Sequence, residues 1–173
     1  DWSASYDAAT GFWHDRKSKG LQNWRARNAV RAWGRTIVQD SQSGNLYYLD
    51  GDTFTEGDDA LIWGVDTCFV NAFPGGGIID AVYLDMQTGV GALLDTADGY
   101  DPKVMLSWSV DGGKTFKGFR ELSLGKRGQH TVRLVARRCG RFGPQGVQFR
   151  VRVSDPVIRG LIAIEAAIRP LKK

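Results

Sequence analysis

Few residues of this sequence have the types and spacing that catalysis needs. The histidines are His14 and His130, and neither has a second ligand at the spacing of a metal site. No grouping of Ser, His and Asp suggests a nucleophile, and glutamate occurs only at Glu56, Glu121 and Glu165. We therefore predict that the protein is not an enzyme and that it has no cofactor and no metal site.

Two loops resemble binding loops only in part. The acidic run of residues 50–59 is similar to a calcium loop, but Phe54 occupies the position of the third ligand. Residues 74–77 read Pro-Gly-Gly-Gly and could form an anion-binding nest, yet the lysine, the hydroxyl residue and the helix of a phosphate loop do not follow. The sequence therefore predicts a solvated turn and a flexible linker.

The most specific pattern is Ser-Val-Asp-Gly-Gly-Lys-Thr-Phe at residues 109–116, which fits the Asp-box motif at every specified position. In such a turn the side-chain oxygens bond backbone N–H groups, a glycine adopts the left-handed conformation, and the aromatic ring packs beneath the loop. In sialidases, Asp boxes are similar staples on propeller blades, away from the catalytic pocket. We predict a structural staple formed by Ser109, Asp111, Gly113, Thr115 and Phe116.

The charge of the chain is strongly polarised. Residues 1–102 contain 7 Lys and Arg against 15 Asp and Glu, a net −8, whereas residues 103–173 contain 16 against 4, a net +12. Such asymmetry predicts a basic face for a polyanion, or acidic and basic surfaces that join copies in an assembly. The candidate contacts with DNA or with another subunit are Lys126, Arg127, Arg137, Arg138, Arg141, Arg150 and Arg152, which could form one positive surface.

The length and the apolar pattern indicate a soluble all-β protein. The 173 residues suffice for one domain or two small ones, and no apolar run approaches the roughly 18 residues of a membrane span. Cys68 and Cys139 lie far apart and are interpreted as reduced thiols. Aromatic runs around Gly-containing turns at residues 6–13 and 37–49 predict two hairpins, which are typical of β-propeller blades.

Composition divides the chain into three predicted regions. Residues 1–66 are expected to form the edge of a β-propeller, about one blade, and residues 67–77 a linker loop. Residues 78–173 are expected to form an antiparallel β-sandwich or open barrel that contains the Asp-box hairpin. Its predicted strands are residues 78–86, 104–110, 131–137, 147–153 and 161–168, the last of which could also form a helix.

Short motifs follow one another in a fixed order through most of the chain. They are Tyr6-Asp7-x-x-Thr10-Gly11-x-Trp13, Asp40-x-x-Ser43-Gly44-x-x-Tyr47-x-Leu49-Asp50, Leu84-Asp85-Met86-x-Thr88-Gly89-Val90-Gly91, Asp101-Pro102-x-Val104-Met105-Leu106-x-Trp108-Ser109, Leu124-Gly125-Lys126-x-Gly128, Arg137-Arg138-x-Gly140-Arg141 and Val153-Ser154-Asp155-Pro156-Val157. Together they resemble the packaged-DNA stabilisation family of short-tailed bacteriophages, whose members form the tail hub or nozzle below the portal. The sequence departs from the family at Phe116, where Trp is commoner, and at residues 143–146, where a more charged segment is expected.

The resemblance implies the C-terminal part of such a protein, working as one copy in a homo-oligomeric ring, a hexamer by analogy. The ring would bind the portal or tail adaptor protein above and dock a tail needle or plug below. It would help to retain packaged DNA through non-specific contact of basic residues with the duplex. The expected location is the virion tail after assembly in the host cytoplasm, without a membrane partner.

Two other interpretations stay open on the sequence. A carbohydrate-binding or sialidase-related β-propeller fragment is suggested by the Asp box and by Trp13, Trp24 and Trp33. A generic β interaction module from a larger secreted protein is the third. Further propeller-like repeats upstream with neighbouring portal or adaptor genes would favour the tail protein, whereas a signal peptide and more Asp boxes would favour the sialidase relative.

Overall fold

The computed structural model describes residues 2–171, and every helix or strand in that range is a β-strand. The prediction of an all-β chain with antiparallel sheets is confirmed. The chain divides between Leu61 and Ile62 into two compact units. This boundary differs from the predicted linker at residues 67–77, which lies inside the second unit.

The first unit contains three small antiparallel sheets, β1-β2, β3-β4-β5 and β6-β7. The hairpins predicted at residues 6–13 and 37–49 correspond to β1-β2 and β4-β5, whereas β3 was not predicted because its sequence is polar. No propeller blade is resolved in this arrangement. The strands are β1 (Ala4–Asp7), β2 (Phe12–Asp15), β3 (Ala26–Ala32), β4 (Arg35–Asp40), β5 (Leu46–Tyr48), β6 (Thr55–Glu56) and β7 (Asp59–Ala60).

The second unit is a β-sandwich of two antiparallel sheets. The four-stranded sheet has the order β11-β10-β13-β8, and the three-stranded sheet has the order β12-β9-β14. The choice between sandwich and open barrel is thereby decided for the sandwich, and residues 161–168 form a strand, not a helix. The strands are β8 (Trp63–Asp66), β9 (Gly77–Met86), β10 (Lys103–Ser109), β11 (Gly118–Ser123), β12 (Leu134–Phe142), β13 (Gln148–Val153) and β14 (Leu161–Pro170).

The core of the sandwich lies between the inward faces of these sheets. On β13, Phe149, Val151 and Val153 are buried, and the alternating Arg150 and Arg152 lie on the outer face. This is the period of two expected for a strand with one face on a core. The largest fully buried side chains from the other strands include Ile79, Val82, Val104 and Leu106.

The segment predicted as a flexible linker is built into the sandwich. The backbone N–H of Thr67 donates to the carbonyl of Phe149 at 2.9 Å, and Val70 pairs with Val147. A Cβ on Gly76 would lie 2.1 Å from the carbonyl oxygen of Phe142, so the glycine run permits a close backbone approach. The preceding strand β8 completes the four-stranded sheet, and its four residues are too short to give a sequence signal.

Strand direction assigns every sandwich loop to one of two ends. We call them the Lys103 end and the Ser109 end, after the first and last residues of β10. Since all pairings are antiparallel, the connections after β9, β11 and β13 lie at the Lys103 end. The connections after β8, β10 and β12 lie at the Ser109 end.

Candidate functional site

The turn at residues 109–116 is held by its own side chains. The hydroxyl of Ser109 donates to Asp111 Oδ1 at 2.7 Å and accepts the backbone N–H of Gly113 at 3.0 Å. Asp111 also accepts the hydroxyl and the backbone N–H of Thr115, the latter at 2.9 Å. These bonds, led by that from the Thr115 hydroxyl, hold the pKa of Asp111 well below its usual range. The carboxylate is fully engaged in the turn.

The aromatic residue that follows the turn ties it to the neighbouring strands. Phe116 is half-buried, and the guanidinium carbon of Arg150 lies 3.6 Å from its ring centroid. The same guanidinium makes two hydrogen bonds to Asp66, at 2.8 and 2.6 Å, and lowers the pKa of that carboxyl. Arg150 therefore joins the turn, β13 and β8, and its charge already has a partner within the fold.

The seven basic residues predicted as contacts do not form one surface. Lys126 and Arg127 lie in the connection after β11, at the Lys103 end, where the Lys126 ammonium lies 4.6 Å from the Tyr100 ring centroid. Arg150 and Arg152 lie on the outer face of the four-stranded sheet. The other three basic residues, Arg137, Arg138 and Arg141, follow β12, an edge of the opposite sheet.

The β12 edge holds the densest group of these arginines. Arg137, Arg138 and Arg141 are all exposed. A bulge between Arg137 and Gly140 interrupts the pairing with β9, and Arg138 has a φ of 55°. Within residues 2–171, no carboxylate lies within 4.0 Å of any of the three guanidinium groups. This edge can therefore meet an anionic partner without breaking an existing ion pair.

A cavity that the sequence did not indicate opens beside this edge. It has a volume of about 210 Å³, and its lining includes Trp108, Lys117, Cys139 and Arg141. Trp108 forms an apolar wall, and a Cβ on Gly118 would lie 2.0 Å from the indole. Burial raises the pKa of the Cys139 thiol. We call this feature the edge cavity.

Comparison with known families identifies the sandwich. A family model described as the β-sandwich of bacteriophage P22 Gp10 matches residues 62–169, which is more than half of the chain. The chain belongs to this family. The Gp10-family match begins where the second unit begins and ends inside β14. No curated protein matches the chain in sequence.

Membership of the Gp10 family makes the chain a bacteriophage tail structural protein. The virion tail is accordingly its location at this level of description, and oligomeric assembly with other tail proteins is typical of the family. Residues 2–171 contain no helix that is long and apolar enough to cross a membrane. The Asp box, the propeller and the named partners lie beyond what the family match reports.

The other candidates from the sequence lie apart from the edge cavity. His14 is an exposed residue of β2, and the Nδ1 of His130 lies 3.3 Å from the carbonyl of Thr88. In the acidic run of residues 50–59, Asp50 accepts bonds within its own turn and Asp59 forms an ion pair with Lys19 at 2.8 Å. The described part of the chain contains no group of three His, Cys, Asp or Glu residues arranged to hold a metal.

The three tryptophans considered for carbohydrate binding have different surroundings. Trp13 is exposed and its ring centroid lies 5.1 Å from that of Tyr6. Trp24 is half-buried, and its indole N–H donates to Glu56 at 3.0 Å. Trp33 is 91% exposed at the tip of the β3-β4 hairpin. They occupy three separate positions in the fold of the first unit.

Proposed function

We propose that the chain is a component of the tail hub or nozzle, which joins the portal adaptor to the distal tail and helps to retain packaged DNA. The observation that carries the proposal is the match of the Gp10-family sandwich across residues 62–169. In this role the chain works as one copy in a homo-oligomeric ring, with a tail needle or plug below. Its activity is assembly and not catalysis.

Charge supports the DNA-retaining part of the proposal. Residues 62–173 contain sixteen Lys and Arg against ten Asp and Glu, a net +6, whereas residues 1–61 contain seven against nine, a net −2. The excess of positive charge therefore belongs to the sandwich, and the exposed arginines of β12 are without carboxylate partners in the described range. Contacts of this kind bind duplex DNA without reading its sequence and weaken as salt rises.

The first unit is proposed to be part of a β-propeller. Its support is the set of short hairpins with large apolar side chains left exposed, including Phe12, Trp13, Trp33 and Tyr48. Such surfaces are expected where a module is normally covered by neighbouring modules. The Asp-box hairpin in the sandwich is proposed to be a structural staple.

The test of the tail function is removal of the gene from the phage that encodes the chain. We expect filled heads that lack the distal tail and lose DNA, with recovery when the protein is supplied in trans. Normal complete tails without the protein would contradict the proposal. Turnover of a fluorogenic sialoside by the protein, abolished by a point substitution, would instead establish the sialidase relationship.

DNA contact is tested separately through salt-dependent binding to unrelated duplexes. Substitution of Arg137, Arg138 and Arg141 together by Ala should lower affinity and make the slope of log K against log salt shallower by roughly one to three contacts. The matched control is Lys126→Ala with Arg127→Ala, at the Lys103 end. Unchanged binding and slope in the β12 variant would assign these arginines to protein contacts.

A further inference from the structure

The connection between β9 and β10 presents two adjacent leucines to solvent. Leu93 and Leu94 are 73% and 64% exposed. The loop that carries them is closed, because the N–H of Ala92 donates to the carbonyl of Gly99 at 2.8 Å. Within it, the N–H of Ala97 donates to the carbonyl of Leu94 at 3.1 Å. We call residues 92–99 the leucine loop.

The leucine loop is also acidic. Asp95 and Asp98 are exposed on it, and within residues 2–171 neither has a Lys, Arg or His partner within 4.0 Å. The loop thus combines an apolar tip with two available negative charges. An exposed tip of this composition is a feature of contact surfaces more than of solvated turns.

The edge cavity has the complementary composition. Its wall is the Trp108 indole, and Lys117 and Arg141 lie at its border. The guanidinium carbon of Arg120 lies 5.6 Å from the Trp108 ring centroid, which adds a third cation. None of these three cations has a carboxylate within 4.0 Å in the described range.

The two features lie at opposite ends of the same sandwich. The leucine loop is at the Lys103 end, and the edge cavity is at the Ser109 end, beside the last turn of the β10 connection. The seven residues of β10 separate them by roughly 20 Å, given a rise of about 3.3 Å per residue. One molecule therefore cannot fill its own cavity, but a neighbouring copy can.

We propose that the leucine loop of one copy inserts Leu93 or Leu94 into the edge cavity of the next, with Asp95 and Asp98 facing Lys117 and Arg141. The contact is head-to-tail, so each copy uses its loop on one side and its cavity on the other. Repetition of such a contact closes a ring when the rotation between copies divides a full turn. The inference rests on the proposed function in one respect, namely that the chain acts as an oligomer.

Two variants of the 173-residue chain break the contact from opposite sides. The loop variant carries Leu93→Ser and Leu94→Ser, and the cavity variant carries Lys117→Glu and Arg141→Glu. Sedimentation velocity over a concentration series should show self-association of the unmodified chain, with the dissociation constant raised at least tenfold in each variant. Leu46→Ser is the matched control, because Leu46 is 69% exposed but lies on β5 in the first unit. All the substituted side chains are exposed, and unfolding curves check that stability is retained.

Mixing the two variants gives the sharpest outcome. The loop variant retains an intact cavity and the cavity variant retains an intact loop, so the mixture should form a 1:1 dimer that cannot grow. A monomeric unmodified chain, equal association of all variants, or a mixture that stays monomeric while the unmodified chain associates would each overturn the inference.

Incorporation into virions separates this inference from the proposed function. If the unmodified protein enters tails and the loop and cavity variants enter equally well, the contact is wrong and the tail function stands. If the unmodified protein is absent from tails, the tail function itself is contradicted. Entry of the unmodified protein with exclusion of both variants supports the two together.

Discussion

The two units of this chain are stabilised in different ways. In the sandwich, Phe149, Leu106 and Ile79 are among many apolar side chains that are wholly buried between the sheets. In the described part of the first unit, Val38 is the one buried apolar side chain, and Asp40 and Ser18 are the buried polar ones. Burial of apolar surface therefore accounts for the second unit and does not account for the first.

Local hydrogen bonds take over in the first unit. Asp7, Asp40 and Asp50 each accept the N–H of the residue two positions later and the hydroxyl of the Ser or Thr three positions later. Such turns fix hairpins individually without requiring a shared core. The comparison shows that similar β-hairpin sequences can belong either to a self-sufficient domain or to a module that leaves its apolar side chains uncovered.

The largest expected effect is loss of a core ring in the sandwich. Phe149→Ala should lower the free energy of unfolding by about 3–5 kcal/mol, because it removes a buried aromatic ring and leaves a cavity. Urea unfolding followed by tryptophan fluorescence measures the change. Phe12→Ala, at a ring that is 67% exposed in the first unit, is the control and should change stability by less than about 0.5 kcal/mol. Equal losses in the two variants would refute the contrast between the units.

A tight backbone contact in the sandwich should give the next largest effect. Gly118→Ala places a Cβ 2.0 Å from the Trp108 indole, so the ring must move and stability should fall by about 1–3 kcal/mol. The change is read from the unfolding midpoint and from the Trp108 fluorescence. Gly143→Ala is the matched control, because no atom lies within 4 Å of its Cβ position. A normal midpoint in Gly118→Ala would mean that the indole wall of the edge cavity is soft.

The sequence predicted elements whose pattern is local and left out those defined by distant partners. The alternation of Val147 to Val153 predicted β13, and the aromatic-turn-aromatic runs predicted two hairpins. The edge strand β11 was missed because Arg120, Glu121 and their neighbours face solvent and leave no apolar period. The domain boundary was misplaced for a similar reason, since β8 has only four residues and its assignment depends on pairing with β13.

Charge was the least reliable guide to the site. The division of the chain at Pro102 placed six aspartates of the sandwich, from Asp66 to Asp101, with the first unit. It also grouped Arg150 with the unpaired arginines, although that side chain is bound to Asp66. Sequence spacing records neither the opposite ends of a sandwich nor the partner of a guanidinium, so the edge cavity and the leucine loop emerged only from the fold.

The pH dependence of the first unit tests its reliance on carboxylates. The Arg25 guanidinium, at 2.7 Å from Asp40 Oδ1, is the main cause of the strongly lowered pKa of Asp40. A lowered pKa in the folded state stabilises folding fully above the unfolded value of 3.8, and this contribution is lost as the pH falls below it. Hydrogen exchange of the β3-β5 amides should therefore accelerate below about pH 4.

Asp40→Asn is the variant that isolates this effect. It should accelerate exchange at neutral pH and flatten the acid dependence, because Asn cannot form the charged pair with Arg25. Asp58→Asn, on an exposed side chain near β7, is the control and should leave both properties unchanged. A steep acid transition that survives in Asp40→Asn would assign the pH dependence to the other turn carboxylates.

The smallest expected effect has the opposite sign. Trp33 has a φ of 49° and precedes Gly34 at 73° in the β3-β4 turn, where Asn-Gly is the preferred pair. A bulky residue in this conformation is unfavourable, and its indole is 91% exposed, so Trp33→Asn should stabilise the hairpin by about 0.5–1 kcal/mol. Trp13→Asn, which removes the ring contact with Tyr6, is the control and should give no gain. A gain in stability at Trp33 combined with poorer entry into tails would show that the exposed side chain is retained for contact, as expected of a unit that is incomplete by itself; a loss of stability would show that Trp33 supports the hairpin after all.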